Sequence, residues 1–340
     1  LAEWLYEAGI GEARAALVDD DDVIIEAHIE ANGDTLRVGR TIDVRLVEKQ
    51  AGGTRGIVRS IIGSHEALID RLPAVDMGRA FNVTVVREAI PEPGAIKRAK
   101  VRLASDKTPD TAPDTGETPG PTLYDRIKAT GITVRTLAPH GPDLLESAGW
   151  TETLEEAARG EIRFPGGALR ISLTPAMTLI DIDGELAPNA LALAGADAAG
   201  AAIRRLGIAG SIGIDFPTVA GKAERLAIAE AIDSHIPQSF ERTAVNGFGF
   251  LQIIRPRLRA SLCEQFQYDA IESHARALLR RAQRSGIIGA AAIVAHFRII
   301  AVLEAQPDWI VALSAHIGGS VTLRGDAALA MSAGYATKAN

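Results

Sequence analysis

Two short apolar runs, Thr178-Leu-Ile-Asp181-Ile-Asp183 and Ser211-Ile-Gly-Ile-Asp215-Phe216, decide the fold of the middle of this chain. Each reads as a β-strand that leaves a core and ends in aspartate. Between them lies Asn189–Leu206, an alanine-rich stretch with helical character. Strand, helix, strand is a βαβ crossover, which sets the two strands parallel and close together in one sheet. Acids at equivalent strand ends then approach one another. They repel, and a divalent cation is the common remedy. A single acid at a strand end is an ordinary solvated loop residue; it is the pairing that carries information. The residues therefore predict a hard-metal site, for Mg²⁺ with Mn²⁺ as the alternative ion, ligated by Asp181 and Asp215.

The surrounding sequence extends the pattern. Phe164-Pro-Gly-Gly-Ala-Leu-Arg-Ile-Ser172 precedes the first strand, and Gly249-Phe-Leu-Gln252 and Arg255-Pro-Arg257-Leu258 follow the second. In order and spacing these blocks resemble the catalytic core of the ribonuclease E/G family. The resemblance implies that Asp181 and Asp215 hold a catalytic Mg²⁺, and that a polar residue two places after the first aspartate, here Asp183, helps to orient it. The family usually has Asn at that position. Asp183 adds negative charge beside the metal, where it could act as a third ligand, attract a second cation or raise the basicity of bound water. The fold implied is α/β in the α+β sense: an OB-like RNA-binding barrel inserted early, a core with a mixed sheet, and a small C-terminal α/β domain.

Taken in order, residues 1–35 read as a β-hairpin packing on the core. Ala13–Val18 and Val23–Ile29 are its strands, and Asp19-Asp20-Asp21-Asp22 is a turn rather than a metal site. Residues 36–103 hold strand-like runs at 41–47, 56–62, 66–69, 81–87 and 97–103, punctuated by Gly and Pro clusters, as suits a small five-stranded barrel. Phe81 is its only aromatic residue, so contact with an RNA backbone through Lys97, Arg98, Lys100 and Arg102 is the better expectation than base stacking. Residues 104–122, rich in Pro and Thr with no large apolar side chain, read as a linker. In 123–163, a helix leads into a strand ending in Arg135-Thr136, followed by helical sequence from Gly141 to Gly160. An Arg beside a hydroxyl can hold a phosphate, although a structural Arg is the commoner use. The segment looks like the family's sensor for an RNA 5′-monophosphate, and the resemblance assigns that role to Arg135 and Thr136.

In the core, 164–262, a second helix is expected from Pro217 to Ile236, starting directly after Asp215. Its apolar stripe would be Leu226, Ile228, Ala231 and Ile232, and Lys222 in its second turn is a candidate phosphate contact. Arg255, Arg257 and Arg259 occupy alternate positions, so a continuing strand would point all three to one face and toward RNA. Residues 263–333 read as a basic amphipathic helix, Tyr268–Gln283, then a helix at 292–303 and strands at 309–314 and 320–324. The small-residue-rich end, including 334–340, is expected to be loose.

Composition narrows the function classes. There is one cysteine, Cys263, where larger family members use two to clamp zinc between subunits. No zinc site is expected, and any homo-oligomer would lack a zinc link. No run of eighteen apolar residues occurs, and the first residues lack a basic leader, so a cytoplasmic protein with no membrane partner is expected. The net charge of −7 argues against coating nucleic acid by bulk charge but not against local basic stripes. The scattered histidines have no ligand spacing, and no nucleophilic triad, phosphate-binding glycine loop or dinucleotide fingerprint occurs. The expectation is a metal-dependent endoribonuclease preferring single-stranded RNA. The rival readings are a catalytically weak RNA-binding protein in rRNA maturation or ribosome assembly and, last, a phosphohydrolase on small substrates.

Overall fold

The acidic run near the N-terminus turns the chain back on itself. The Asp19 Oδ1 accepts hydrogen bonds from the backbone N–H groups of Asp21 (3.0 Å) and Val23 (2.9 Å), and Asp22 adopts a φ of 59°. This is a side-chain-stabilised turn, and it joins β2 (Glu12–Val18) to β3 (Ile24–Ala31). A strand missed in the sequence, β1 (Glu3–Ala8), pairs antiparallel with β2. The computed structural model describes residues 2–50, 52–72, 74–104 and 117–339. The central part of the expected linker, 105–116, lies outside the described residues.

Five strands follow the hairpin in a closed barrel: β4 (Thr41–Lys49), β5 (Gly56–Ser60), β6 (Glu66–Ile69), β7 (Ala80–Arg87) and β10 (Ala99–Leu103). The order around it is β10-β6-β5-β4-β7, with β6 and β10 parallel. Alternate apolar residues such as Val44, Leu46, Ile69, Val83 and Val101 fill its interior. The expected strand 97–103 is broken in two. Its first residue, Lys97, closes β9 (Ala95–Lys97), which forms a separate hairpin with β8 (Ile90–Glu92), turned by Gly94. Beyond the linker come α1 (Leu123–Lys128), capped by Thr122, and β11 (Val134–Thr136), which joins β1 in parallel at the edge of the N-terminal sheet. The helices α2 (Leu144–Ser147) and α3 (Trp150–Arg159) bury Leu145 and Trp150 in the main core.

That core belongs to a six-stranded mixed sheet ordered β12-β13-β14-β15-β17-β16. Its strands are β12 (Glu161–Phe164), β13 (Gly167–Leu173), β14 (Thr178–Gly184), β15 (Gly210–Asp215), β16 (Glu241–Arg242) and β17 (Phe250–Arg255). Between β14 and β15 the chain runs through α4 (Pro188–Arg205), and the two strands are parallel neighbours, as the crossover requires. One face of the sheet, with Ile171, Ile180, Ile182, Ile214 and Leu251, is buried with the alanines of α4. The second helix, α5 (Lys222–His235), differs from expectation. It starts at Lys222 with Gly221 as its cap, because Phe216 and Val219 are drawn into the core first. Its N-terminus therefore does not follow Asp215 directly, and Leu226 faces solvent while Ile228 and Ile232 are buried.

After α6 (Leu262–Tyr268) and α7 (Ala270–Arg284), the C-terminal unit departs most from the sequence reading. The stretch expected as one helix is β18 (Ala291–Ala295) and then α8 (Phe297–Glu304), separated by His296, whose Nδ1 caps the helix. An apolar run buried on all sides gives no period to distinguish strand from helix. The expected strand at 309–314 is helix α9 (Pro307–Ile317), with Pro307 at its first position. The tail expected to be loose forms β20 (Tyr335–Lys338), which pairs with β18 opposite β19 (Val321–Gly325). No helix among the described residues is long and apolar enough to cross a membrane.

Candidate functional site

The six-stranded sheet is buried on one face only. Along β14 the residues alternate, with Ile180 and Ile182 buried and Leu179, Asp181 and Asp183 exposed. Strand pairing then assembles a row that crosses four strands on the open face. Arg170 on β13 is opposite Asp181 on β14, Asp181 is opposite Asp215 on β15, and Asp215 is opposite Phe250 on β17. Adjacent strands are spaced at about 4.8 Å, so cation, acid, acid and aromatic ring stand side by side. The predicted juxtaposition of Asp181 and Asp215 is thus present.

The electrostatics of this row are unbalanced. Partial burial, and then the charges of Asp183 and Asp215, hold the Asp181 carboxyl above its usual range, and Arg170 only partly offsets them. Arg170 Nη1 lies 2.8 Å from Asp183 Oδ2, so the guanidinium is shared between the two acids of β14. Among the described residues no group of three or more His, Cys, Asp or Glu side chains is arranged to hold a metal ion. The geometry thus does not gather Asp183 with the other two as a third ligand. Two carboxylates on neighbouring strands still fit Mg²⁺, which keeps several waters and completes its shell with one or two carboxylates and substrate phosphate oxygens. The residues of the row fit that ion, and excess negative charge is what it would neutralise.

The other expected site residues are distributed differently. Arg135 and Thr136 are exposed on β11, in the N-terminal sheet and not in the sheet of the acid pair; Arg135 Nη2 is 2.9 Å from Glu3 Oε1. On the barrel, Lys97 pairs with Glu92 at 3.2 Å, Arg98 lies 3.4 Å from Glu66, and Lys100 contacts Asp70. Arg102 is exposed, and its side chain makes no ion pair or hydrogen bond among the described residues. Lys222 is exposed at the first position of α5, not in its second turn.

Arg255, Arg257 and Arg259 do not lie along one strand, and each bonds to a different part of the chain. The strand ends at Arg255, whose Nη1 donates to the Ile208 carbonyl (2.6 Å) and the Ile203 carbonyl (3.4 Å), and burial pushes its pKa down. Arg257 bonds to Glu264, and Arg259 Nε lies 3.5 Å from Glu88 Oε1. Arg255 braces the inside of the core, while Arg257 and Arg259 tie it to α6 and to the segment after β7. The basic stripe on α7 is likewise internal, since Arg276 and Arg280 are only 5% and 4% exposed and pair with Glu12 and Glu7. Charge runs read from sequence do not reveal the acids that fold up against them.

Two members of the row, Arg170 and Phe250, lie in the sequence blocks that suggested the core but carry no expected role there. Only the strand register sets them beside the acids. Compared with known proteins, the chain matches no family model, and no curated protein matches it significantly.

Proposed function

We propose that this chain is a metal-dependent endoribonuclease of the ribonuclease E/G type, cutting single-stranded RNA to leave 5′-phosphate and 3′-hydroxyl ends. One observation carries the reading: Asp181 and Asp215 stand in register on adjacent parallel strands, on a sheet face open to solvent. Mg²⁺ bound there supplies activation of water and neutralisation of charge developing on a phosphodiester. Asp181 and Asp215 would hold that ion, which would offset their mutual repulsion. Arg170, opposite Asp181, is placed to donate to a phosphate oxygen. Asp183 fixes the Arg170 guanidinium through their ion pair.

Elsewhere in the chain, the barrel supports the same reading. Its five closed strands, with β6 and β10 parallel, support reading it as an oligonucleotide-binding, OB-like barrel. Of the expected backbone contacts, Arg102 has no competing partner among the described residues, whereas Lys97, Arg98 and Lys100 would exchange acids for phosphates. Arg135 and Thr136 remain the candidates for a 5′-phosphorylated end, with Glu3 as the acid that phosphate would displace.

The test is cleavage of a short AU-rich RNA carrying either a 5′-monophosphate or a 5′-hydroxyl, with Mg²⁺, with chelator, and with Asp215→Ala. Metal-dependent cutting that disappears in the variant is expected. Binding without cutting in every condition would replace the nuclease by an RNA-binding protein.

A further inference from the structure

The open face of the six-stranded sheet carries more than its acids. Gly213 sits on β15 two residues before Asp215, and a Cβ at this position would fall 2.6 Å from Phe250 Cζ, 3.0 Å from Leu179 Cδ2 and 3.1 Å from Met177 Sδ. A side chain here would have to push the Phe250 ring aside and crowd Leu179 and Met177. Glycine here leaves room for the Phe250 ring to lie over β15 on the side of Leu179 of β14. Both flanking strands contribute in register, since Phe250 is opposite Asp215 and Leu179 is two residues before Asp181. A half-buried ring on an apolar seat thus lies one strand from the acid pair. Phe248, in the turn before it, is 85% exposed.

An apolar surface beside two carboxylates has no role in holding a cation, and it costs free energy while it faces water. Its position suits the base of a nucleotide whose phosphate is at the acid pair. The barrel offers no alternative platform, because Phe81, its only aromatic residue, is 3% exposed and packed inside. From these placements we infer that Phe250, seated on Gly213 and Leu179, is a base-stacking platform that positions the nucleotide next to the scissile phosphate. The inference rests on the nuclease reading for its account of the acid pair. Phe250 is a positioning residue: it touches the base, and the phosphate is held elsewhere. Stacking tolerates any base because each has a π-face, so the platform confers a demand for an unpaired base, not for a sequence.

The experiment uses single-stranded RNA in which one nucleotide at a time is made abasic or replaced by 2-aminopurine. In the wild-type chain, an abasic residue at one position adjacent to the cut should lower kcat/KM roughly ten- to a hundredfold. Phe250→Leu, which keeps the apolar seat covered, should lower kcat/KM on intact RNA by a similar factor and erase the abasic penalty. Phe250→Trp should restore both. Independently of cleavage, 2-aminopurine at that position should be quenched on mixing with the wild-type chain and with Phe250→Trp, and not with Phe250→Leu. Cleavage with no abasic penalty at any position overturns the platform while leaving the nuclease standing. Equal quenching by wild type and Phe250→Leu also overturns it. If the wild-type chain cuts no RNA but the Phe250-dependent quenching persists, the nuclease reading falls and the platform stands. The same DNA strand as a second probe tells a general single-strand platform from one that needs the RNA backbone.

Discussion

Two pairs of acids stand on neighbouring strands in this chain and are treated in opposite ways. Glu7 on β1 and Glu12 on β2 are buried, at 5% and 2% exposure, and are surrounded by arginines. Arg14 Nη1 lies 3.0 Å from Glu7 and its Nε 2.7 Å from Glu12. Arg276 Nε is 3.0 Å from Glu12, and Arg280 Nε is 2.9 Å and Arg284 Nη2 2.5 Å from Glu7. Burial alone would raise the Glu7 pKa, but Arg280, Arg14 and Arg284 outweigh it and hold the carboxyl below its usual range. Asp181 and Asp215 have no such shell. Arg170 is the cation in their row, it is shared with Asp183, and Asp181 is held above its usual range. An acid pair matched by its own protein is part of the scaffold, because charge removed from water must be paired. One left partly unmatched on an open face is available to a ligand.

The sharpest way to break this comparison is to neutralise each pair. Asp215→Asn should lower Mg²⁺-dependent cleavage by roughly a thousandfold or more, about 4 kcal/mol of transition-state stabilisation. It should not lower the melting temperature, because it removes like-charge repulsion and no internal partner. Single-turnover cleavage and a thermal melt of the same preparation check both halves. A melting temperature several degrees lower would mean that Asp215 is structural.

Glu7→Ala should do the reverse. It leaves Arg14, Arg280 and Arg284 without their shared acid, at a cost of about 3–5 kcal/mol in unfolding free energy, visible as a lower denaturant midpoint. The pH dependence follows from the direction of the Glu7 shift. A group whose pKa is depressed by folding contributes stability in full above its unfolded pKa, about 4.3. It loses that contribution as pH falls through the folded value. The stability gap between wild type and Glu7→Gln should therefore be constant near neutrality and shrink below about pH 4. A gap that widens on acidification would contradict the assignment.

The contrast also separates what could be read in the sequence from what could not. The βαβ unit was legible because its strands are short, β-branched and separated by one helix, and topology rules leave such strands little choice but to lie parallel. The barrel was legible because Gly and Pro mark its turns. Partnership was not. Arg255 and Arg280 look the same in a linear string as a solvated or RNA-facing arginine, and only folding brings Ile208 O and Glu7 against them. Register was equally hidden, so Arg170 and Phe250 could not be placed beside the acids. In the C-terminal unit, continuous apolar sequence from 291 to 303 conceals the change from strand to helix at His296.

A smaller effect tests the reassignment of the arginines at and after the end of β17. Arg255→Ala removes two hydrogen bonds to the carbonyls of Ile203 and Ile208. It should cost about 1–3 kcal/mol of stability and leave the salt dependence of RNA binding unchanged, since removing a cation that neutralises one phosphate of a single strand would reduce that slope by about 0.7. Arg102→Ala on the barrel should show the opposite pattern, with no loss of stability and a shallower slope. Titrations at several salt concentrations distinguish the two, and a shallower slope for Arg255→Ala would return that residue to the RNA-binding surface.

The smallest effect is expected at Asp183, and it is informative for that reason. The Arg170–Asp183 pair is more than half exposed on both sides, so breaking it should cost under about 1 kcal/mol in stability. If Asp183 acts by fixing Arg170 and not as a metal ligand, Asp183→Asn keeps a hydrogen-bond acceptor for the guanidinium and should leave cleavage within about tenfold, roughly 1.4 kcal/mol. Asp183→Ala should then cost more than Asp183→Asn, and neither should change the Mg²⁺ concentration giving half-maximal rate. Activity lost in both variants, together with a raised Mg²⁺ requirement, would make Asp183 a direct ligand. The open face would then hold its cation with three carboxylates, and Arg170 would be released to the substrate.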